Sequence, residues 1–532
     1  MPAPNIIKKN KTSQIVMPKP LWGRLAGFGV VGLASLMVFA AAIPMVAVAQ
    51  NANLTAAPDA KTVPVFTDRY PETEFCADPD LAAPCLVAPV DVPEFDASFV
   101  YRFLAYEAQR PFDRFSWQSF VAVTAPDPDR AGRARWETFP TSRDLFAEVA
   151  MPNPACRDGL PDGALLLASH VQSSGDMLVD QAGNFILYET RINPVAADYI
   201  RKNRLNHEDG RLDFASAGMA VDFPMGRSPE TRVIGAAKPT ASIITASGTG
   251  EKPNAPTKAL LGDGQLGRVM GAQLLKFAWR ILPDKTASDD EANKPRSDGY
   301  FTRPARIALD GDVTLDGKPT CLDVTVGLVG MHLVERVTSG NGDRWIWSSF
   351  EHNGTAPLAA NARRPNSIIT DTPFADGCLA PDPSTLEAPT DGFVFYGGHT
   401  KPGKPANQST QTDLRWADNA PYARNISGDP ITPPDIVRCW RLFSGTAEAN
   451  FVWQNKLAGT VWQNYMLLGT QWIGNPGGAP FGVGEVPRFL SNLALESFIQ
   501  HQSDASCLGC HATATTDAGQ DANFTFLLDP AR

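Results

Sequence analysis

Near the end of the chain, Cys507-Leu508-Gly509-Cys510-His511 sets two thiols three positions apart, with an imidazole immediately after the second. This C-x-x-C-H spacing is the one in which two thioether bonds fix a haem to the backbone and the adjacent histidine ligates its iron. Three plainer readings compete with it. A thioredoxin-type dithiol belongs where a strand enters the helix of a βαβ unit, whereas this stretch follows a helix-like segment. A half zinc site needs two more Cys or His ligands at motif spacing, and the sequence has no second C-x-x-C and no H-x-x-x-H. Chance is the third: with 8 Cys and 7 His in 532 residues, a random match arises on the order of once in a thousand such chains. On the haem reading, Cys507 and Cys510 carry one covalent haem c and His511 is its proximal ligand.

A second axial ligand, if there is one, must come from upstream, because Ala512 to Arg532 contain no Met and no His. His332 lies in Gly327-Leu328-Val329-Gly330-Met331-His332-Leu333-Val334, and His352 ends Trp345-Ile346-Trp347-Ser348-Ser349-Phe350-Glu351-His352. The turn signal Ser339-Gly340-Asn341-Gly342-Asp343 between them reads as a hairpin. If Thr338 pairs with Arg344, His352 falls opposite Gly330 and both imidazoles project from one face, as a distal ligand, a second metal site or an acid–base couple. A one-residue slip puts them on opposite faces. The bland alternative is two histidines hydrogen-bonded within a core. His399, in a glycine-rich segment, and Met466 are further candidates for the iron, although a Met beside aromatics is often core filler. His501 reads as a helix C-terminal cap, and His170 and His207 carry no signal of their own.

The elements that must position these groups are mostly strands. Apolar residues at helical spacing from Phe99 to Val123, interrupted by Pro111, predict two entry helices. Met177–Val179 and Phe185–Ile192 flank a hairpin turn, and Gln273–Leu282, Tyr300–Leu309, Cys321–Val337 and Arg344–Glu351 read as successive strands. The fold class expected is therefore α+β and β-rich: an antiparallel meander, barrel or sandwich, with peripheral helices and a C-terminal helix carrying the motif. It is not the pattern of a class I cytochrome c domain, which opens on its C-x-x-C-H. Residues 98–353 form the helical entry and β body, with Pro283–Gly299 as a mobile polar insert. Residues 354–435 are a proline-rich wrapping segment. Residues 436–532 supply a strand at Ile436–Leu442, a helix at 447–458, a strand at Val461–Trp472 and a short helix at Pro487–Gln502 before the motif.

The N-terminal residues point to export. Lys8, Lys9, Lys11, Lys19 and Arg24 precede an uncharged, apolar stretch from Leu25 to Ala49 that ends in an A-x-A signature, so residues 1–49 read as a Sec signal peptide. An uncleaved anchor is the competing reading; only then is the membrane a partner. Residues 50–97 form an extended proline-rich lead-in. An oxidising compartment allows up to three disulfides among Cys76, Cys85, Cys156, Cys321, Cys378 and Cys439, with Cys76–Cys85 the one local pairing. The address expected is the periplasm of a Gram-negative bacterium. The net charge of −10 becomes more negative once residues 1–49 are removed, which argues against nucleic acid as a partner. No G-x-G-x-x-G after a strand, P-loop or G-x-S-x-G elbow is present, so nicotinamide, ATP and hydrolase chemistry are disfavoured.

The F-x-W-x-x-F segment at Phe115–Phe120, Trp136-Glu137-Thr138-Phe139, the Gly327–Val334 and Trp345–Asn353 strands, and Ser506–His511 with Phe524-Thr525-Phe526-Leu527-Leu528 resemble a group of large exported bacterial single-haem proteins, known only as cytochrome c family proteins. The resemblance is scattered over residues 112–528. It implies haem binding, electron-transfer competence and a periplasmic address, and supplies no substrate. Three functions follow as expectations: an electron-transfer protein or redox subunit that meets a redox partner protein; a haem oxidoreductase of peroxidase or oxidase type acting on a small oxidant or reductant, with His332, His352 or His399 as catalytic acid–base; and a haem-based sensor or scaffold.

Overall fold

The computed structural model describes residues 88–92, 105–146, 153–172, 175–226, 269–283, 299–339, 342–365, 377–389, 392–409, 413–473, 485–500 and 505–529. The predicted signal segment 1–49, most of the lead-in with Cys76 and Cys85, most of the polar insert after Pro283, and His501 lie outside these residues. The strands in chain order are β1 (Asp91–Val92), β2 (Leu165–Leu167), β3 (Leu187–Ile192), β4 (Gln273–Ile281), β5 (Thr302–Leu309), β6 (Thr320–Ser339), β7 (Gly342–His352), β8 (Leu358–Arg363), β9 (Arg415–Trp416), β10 (Ala423–Arg424), β11 (Arg438–Trp440), β12 (Tyr465–Ile473) and β13 (Glu485–Val486). The α-helices are α1 (Ala105–Thr124), α2 (Ser142–Leu145), α3 (Pro194–Lys202), α4 (Glu208–Ser216), α5 (Ser444–Lys456) and α6 (Cys507–His511). The protein is thus mixed α+β and strand-rich, with few helices around a curled sheet that forms a half-barrel.

The axis of that sheet is β6, 20 residues long. Its second half pairs antiparallel with β4 on one edge and β7 on the other, while its first half pairs with β5. The main path runs β13-β12-β7-β6-β4-β3. The strands are not a pure meander: β1 joins β6, and β2 joins β5, in parallel. Both faces of the sheet are covered, so β4 is apolar almost throughout, and only Lys276 and Arg280 interrupt its burial.

One face packs an aromatic core against α1. Phe277 and Trp279 of β4, Phe350 of β7 and Tyr465 of β12 meet Trp117, Phe120 and Trp136, all buried. Helix α1 is continuous through Pro111 rather than broken there. Proline removes one ladder bond, but Phe112, Phe115, Trp117 and Phe120 are each 1 % exposed or less, and that tertiary packing carries the helix through. The opposite face is covered by residues 487–500 and 505–529. The helix expected at Pro487–Gln502 is absent from the described part of that span, which runs as irregular chain and turns after Val486. It is tied to the sheet instead: the Leu493 N–H donates to the Glu351 carboxylate, and the Asn492 side chain donates through Nδ2 to Ser349 Oγ at 3.1 Å and to the Phe350 carbonyl at 2.9 Å.

Two disulfides join distant stretches, Cys156–Cys321 and Cys378–Cys439. Among the described residues, no helix is long and apolar enough to cross a membrane.

Candidate functional site

The motif is a single helical turn, α6, capped by Ser506, whose Oγ accepts from Gly509 N at 2.9 Å. Gln471 of β12 fixes this turn to the sheet. Its Nε2 donates to Ser506 Oγ at 2.8 Å and to the Pro487 carbonyl at 2.7 Å, and its Oε1 accepts from Leu508 N at 2.8 Å. A second clamp lies further along, where the buried Arg211 of α4 grips the Asp517 carboxylate at 2.9 Å through Nε. The segment that carries the motif is therefore docked at both its start and its middle.

Within α6 the two thiols differ. Cys507 is buried, its Sγ 3.6 Å from the Leu490 carbonyl, and burial pushes its thiol well above the usual range. Cys510 is exposed. His511 packs between Trp347 and Phe526, with ring centroids 4.2 and 4.9 Å away. Its Nδ1 lies 3.0 Å from the Phe524 carbonyl, which can only accept, so Nδ1 carries the proton and Nε2 offers a lone pair. Burial also lowers the imidazole to about 4, which keeps it neutral at physiological pH. The carbonyl is delivered by an uncommon backbone: Asn523 and Phe524 both adopt left-handed φ, at 53° and 62°. Such positions cost non-glycine residues on the order of 1 kcal/mol each and persist where neighbouring contacts hold them. Here Trp345 Nε1 donates to Asn523 Oδ1 at 3.0 Å.

On the sheet beneath α6, β4, β6 and β7 present alternate residues to this face: Lys276 opposite His332, and His332 opposite Ser349, with Trp347 one step along. His332 is hydrogen-bonded at one end: its Nδ1 accepts from Trp347 Nε1 at 3.3 Å, while its buried Nε2 makes no hydrogen bond and lies 3.4 Å from the Glu496 carboxylate. Burial raises Glu496, but His332 and Lys276 outweigh it and hold the carboxyl below its usual range. Burial pulls the Lys276 ammonium down, against the opposing pull of Glu496 and the two motif cysteines. Lys276, Glu496 and His511 all keep some accessible surface, yet each is desolvated enough to feel burial strongly. These side chains lie where the sheet meets the C-terminal segment.

The remaining sequence candidates separate. The β6–β7 register pairs Thr338 with Asp343, not with Arg344, so Gly330 faces Glu351 and His352 falls on the other face of the sheet from His332. The two do not form a pair. His352 instead stacks on Tyr300 at 4.0 Å and accepts from Gly354 N at 3.1 Å. The space at Gly330 is filled by the C-terminal segment, since a Cβ there would lie 2.9 Å from Ala494 Cβ and from Asn492 Oδ1. His399 is exposed and bonded to Gln181 at 3.1 Å, beside the 180–184 turn. Met466 packs against the apolar cluster that includes Trp347 and Leu508. His170 is buried against Phe185 and Trp416, and burial lowers it to about 4. His207 precedes α4, its Nε2 3.2 Å from Asn206 Nδ2. Lys276, Glu496 and Gln471 were not singled out in the sequence. A lysine in the middle of Gln273-Leu274-Leu275-Lys276-Phe277-Ala278-Trp279 was the available signal.

No family model, curated protein or solved structure matches this chain. Among the described residues, no group of three or more His, Cys, Asp or Glu side chains is arranged to hold a bare metal ion. The donor set does suit a haem: two thiols on one helical turn, and an adjacent imidazole whose Nδ1 faces a carbonyl, leaving the Nε2 lone pair to offer. Aromatic and aliphatic side chains flank that imidazole.

Proposed function

We propose that the protein is a c-type monohaem redox protein, with the haem linked through Cys507 and Cys510 and His511 as proximal ligand. The observation that carries this reading is the C-x-x-C-H turn whose histidine is tied through Nδ1 to a main-chain carbonyl, the arrangement that fixes the tautomer and raises the basicity of a ligating imidazole. A haem so held supplies one-electron exchange between Fe(III) and Fe(II). The chain's own part is to orient it: Gln471 and Ser506 set the turn, Phe524 aims the imidazole, and Trp347, Phe526 and Leu508 exclude water from its surroundings. The strand-rich body, with the motif on a short docked tail, differs from a class I cytochrome c domain. Electron transfer with a partner protein in the periplasm is the primary reading.

A haem oxidoreductase is the second reading, favoured by the ionisable groups Lys276, His332 and Glu496 on the sheet face that carries the motif. The separating experiment is an absorption spectrum of protein matured in a host that attaches haem c, taken oxidised, reduced, and reduced under carbon monoxide. A low-spin spectrum that carbon monoxide leaves unchanged supports electron transfer. A high-spin spectrum that shifts supports the enzyme. Absence of covalent haem overturns both.

A further inference from the structure

We infer that Trp347 and His332 are positioning residues for His511: Trp347 sets the plane of the axial imidazole relative to the sheet, and His332 holds Trp347; this rests on the haem reading above. The Phe524 carbonyl holds His511 through one atom, Nδ1, at 3.0 Å. One hydrogen bond sets a direction and leaves the ring free to turn about it, so the ring plane is decided by what packs against it. Two aromatic rings do so: Phe526 at 4.9 Å with the planes 59° apart, and Trp347 at 4.2 Å and 54°. Phe526 belongs to the same tail as His511 and travels with it. Trp347 belongs to β7, so it is the wall that refers the imidazole to the body of the protein.

Trp347 is in turn held by more than packing. Its Nε1 donates to His332 Nδ1 at 3.3 Å, with the two ring planes 77° apart. Each residue is only 4 % exposed, so an indole N–H turned away from Nδ1 would lose its partner in a buried site, which is costly. The placement follows from register. Gln471 of β12 stands opposite Trp347 of β7, and His332 of β6 is diagonal to Trp347, opposite Ser349. Three neighbouring strands thus give one residue each to the same face, with separate tasks. Gln471 ties down the turn that carries the cysteines, Trp347 bears on the imidazole, and His332 sets the angle of the indole. Because Nδ1 accepts, the His332 proton is carried on Nε2, 3.4 Å from the Glu496 carboxylate. The plane of an axial imidazole decides which iron d orbital it donates into, and with it the spread of g values and the reduction potential.

The test uses the full chain matured with covalent haem and reads electron paramagnetic resonance g values and the reduction midpoint potential. It compares the wild type with Trp347→Phe, His332→Leu, His332→Asn and the double variant of Trp347→Phe with His332→Leu. Trp347→Phe keeps a ring and removes the N–H, whereas His332→Asn keeps an acceptor close to the place of Nδ1. The expected result is the same shift in g values and potential from Trp347→Phe and from His332→Leu, with no further shift in the double variant. His332→Asn returns both readings towards the wild type. Unchanged g values in the two single variants, or shifts that add in the double variant, overturn the inference. A His332→Leu that turns a low-spin iron high-spin overturns it too, by making His332 a ligand. Absence of covalent haem from the wild type would mean that the haem reading, not this positioning, has failed.

Discussion

The two faces of the central sheet are built from the same strands and follow different chemistry. One buries Phe277, Trp279 and Phe350 against Trp117, Phe120 and Trp136, where ring packing dominates. The other presents Lys276, His332, Trp347 and Gln471 to a segment of chain that has little regular structure of its own. Alternation along β4, β6 and β7 is what allows one strand to serve both. The aromatic face can hold the fold while the polar face is spent on a site, so the two should fail independently when altered.

The largest expected effect tests that independence. Replacing Cys507 and Cys510 together by alanine should abolish covalent haem completely and leave a cooperatively folded protein, judged by haem staining and by thermal unfolding; recovery of aggregate alone would show that the faces are not independent. His511→Ala should keep the thioether links and lose the normal axial coordination, read in the absorption spectrum. On the aromatic side, Phe277→Ala should cost ~3–5 kcal/mol of stability, with the haem spectrum of the folded fraction unchanged. Gln471→Ala removes two hydrogen bonds to the motif segment and one to the Pro487 carbonyl, a loss of about 1–3 kcal/mol. Hydrogen exchange should then rise across residues 505–529 and not in α1.

The smallest effect is one of pH. On the aromatic face, burial raises Glu335 to about 7 and Asp113 to about 6. A carboxyl whose folded value is raised binds more protons folded than unfolded, so its contribution is full below the unfolded value and is lost as pH rises through the folded one. The thermal midpoint should fall between pH 5 and pH 7.5 on this account, and Glu335→Gln should flatten that slope. An unchanged slope would remove Glu335 from the explanation.

How far the sequence discloses this arrangement depends on the residue. The strands β4 to β7 are legible within a few residues, because long apolar runs bounded by turn signals have few alternatives. The β6–β7 register was not. Ser339 pairs with Gly342, so the connection is two residues rather than five. Both faces of this hairpin are buried, so hydrophobicity offers no penalty for the slipped register that sequence reasoning adopted. The irregular run before the motif was read as a helix because its apolar spacing suits one. What decides it is distant in sequence: Glu351 accepts from Leu493 N, and the Phe350 carbonyl and Ser349 Oγ accept from the Asn492 side chain. The same distance hides Gln471 and Glu496.

The closed position of the Cys507 sulfur fixes an order in time. A rigid macrocycle cannot reach an atom already covered by packed main chain, so on the proposed reading bond formation comes first and closure of residues 505–529 over the sheet comes second. On that reading, a chain that closed before loading would stay locked until the segment reopened. On the same reading, the rate at which residues 505–529 open would set how long an unloaded molecule stays rescuable.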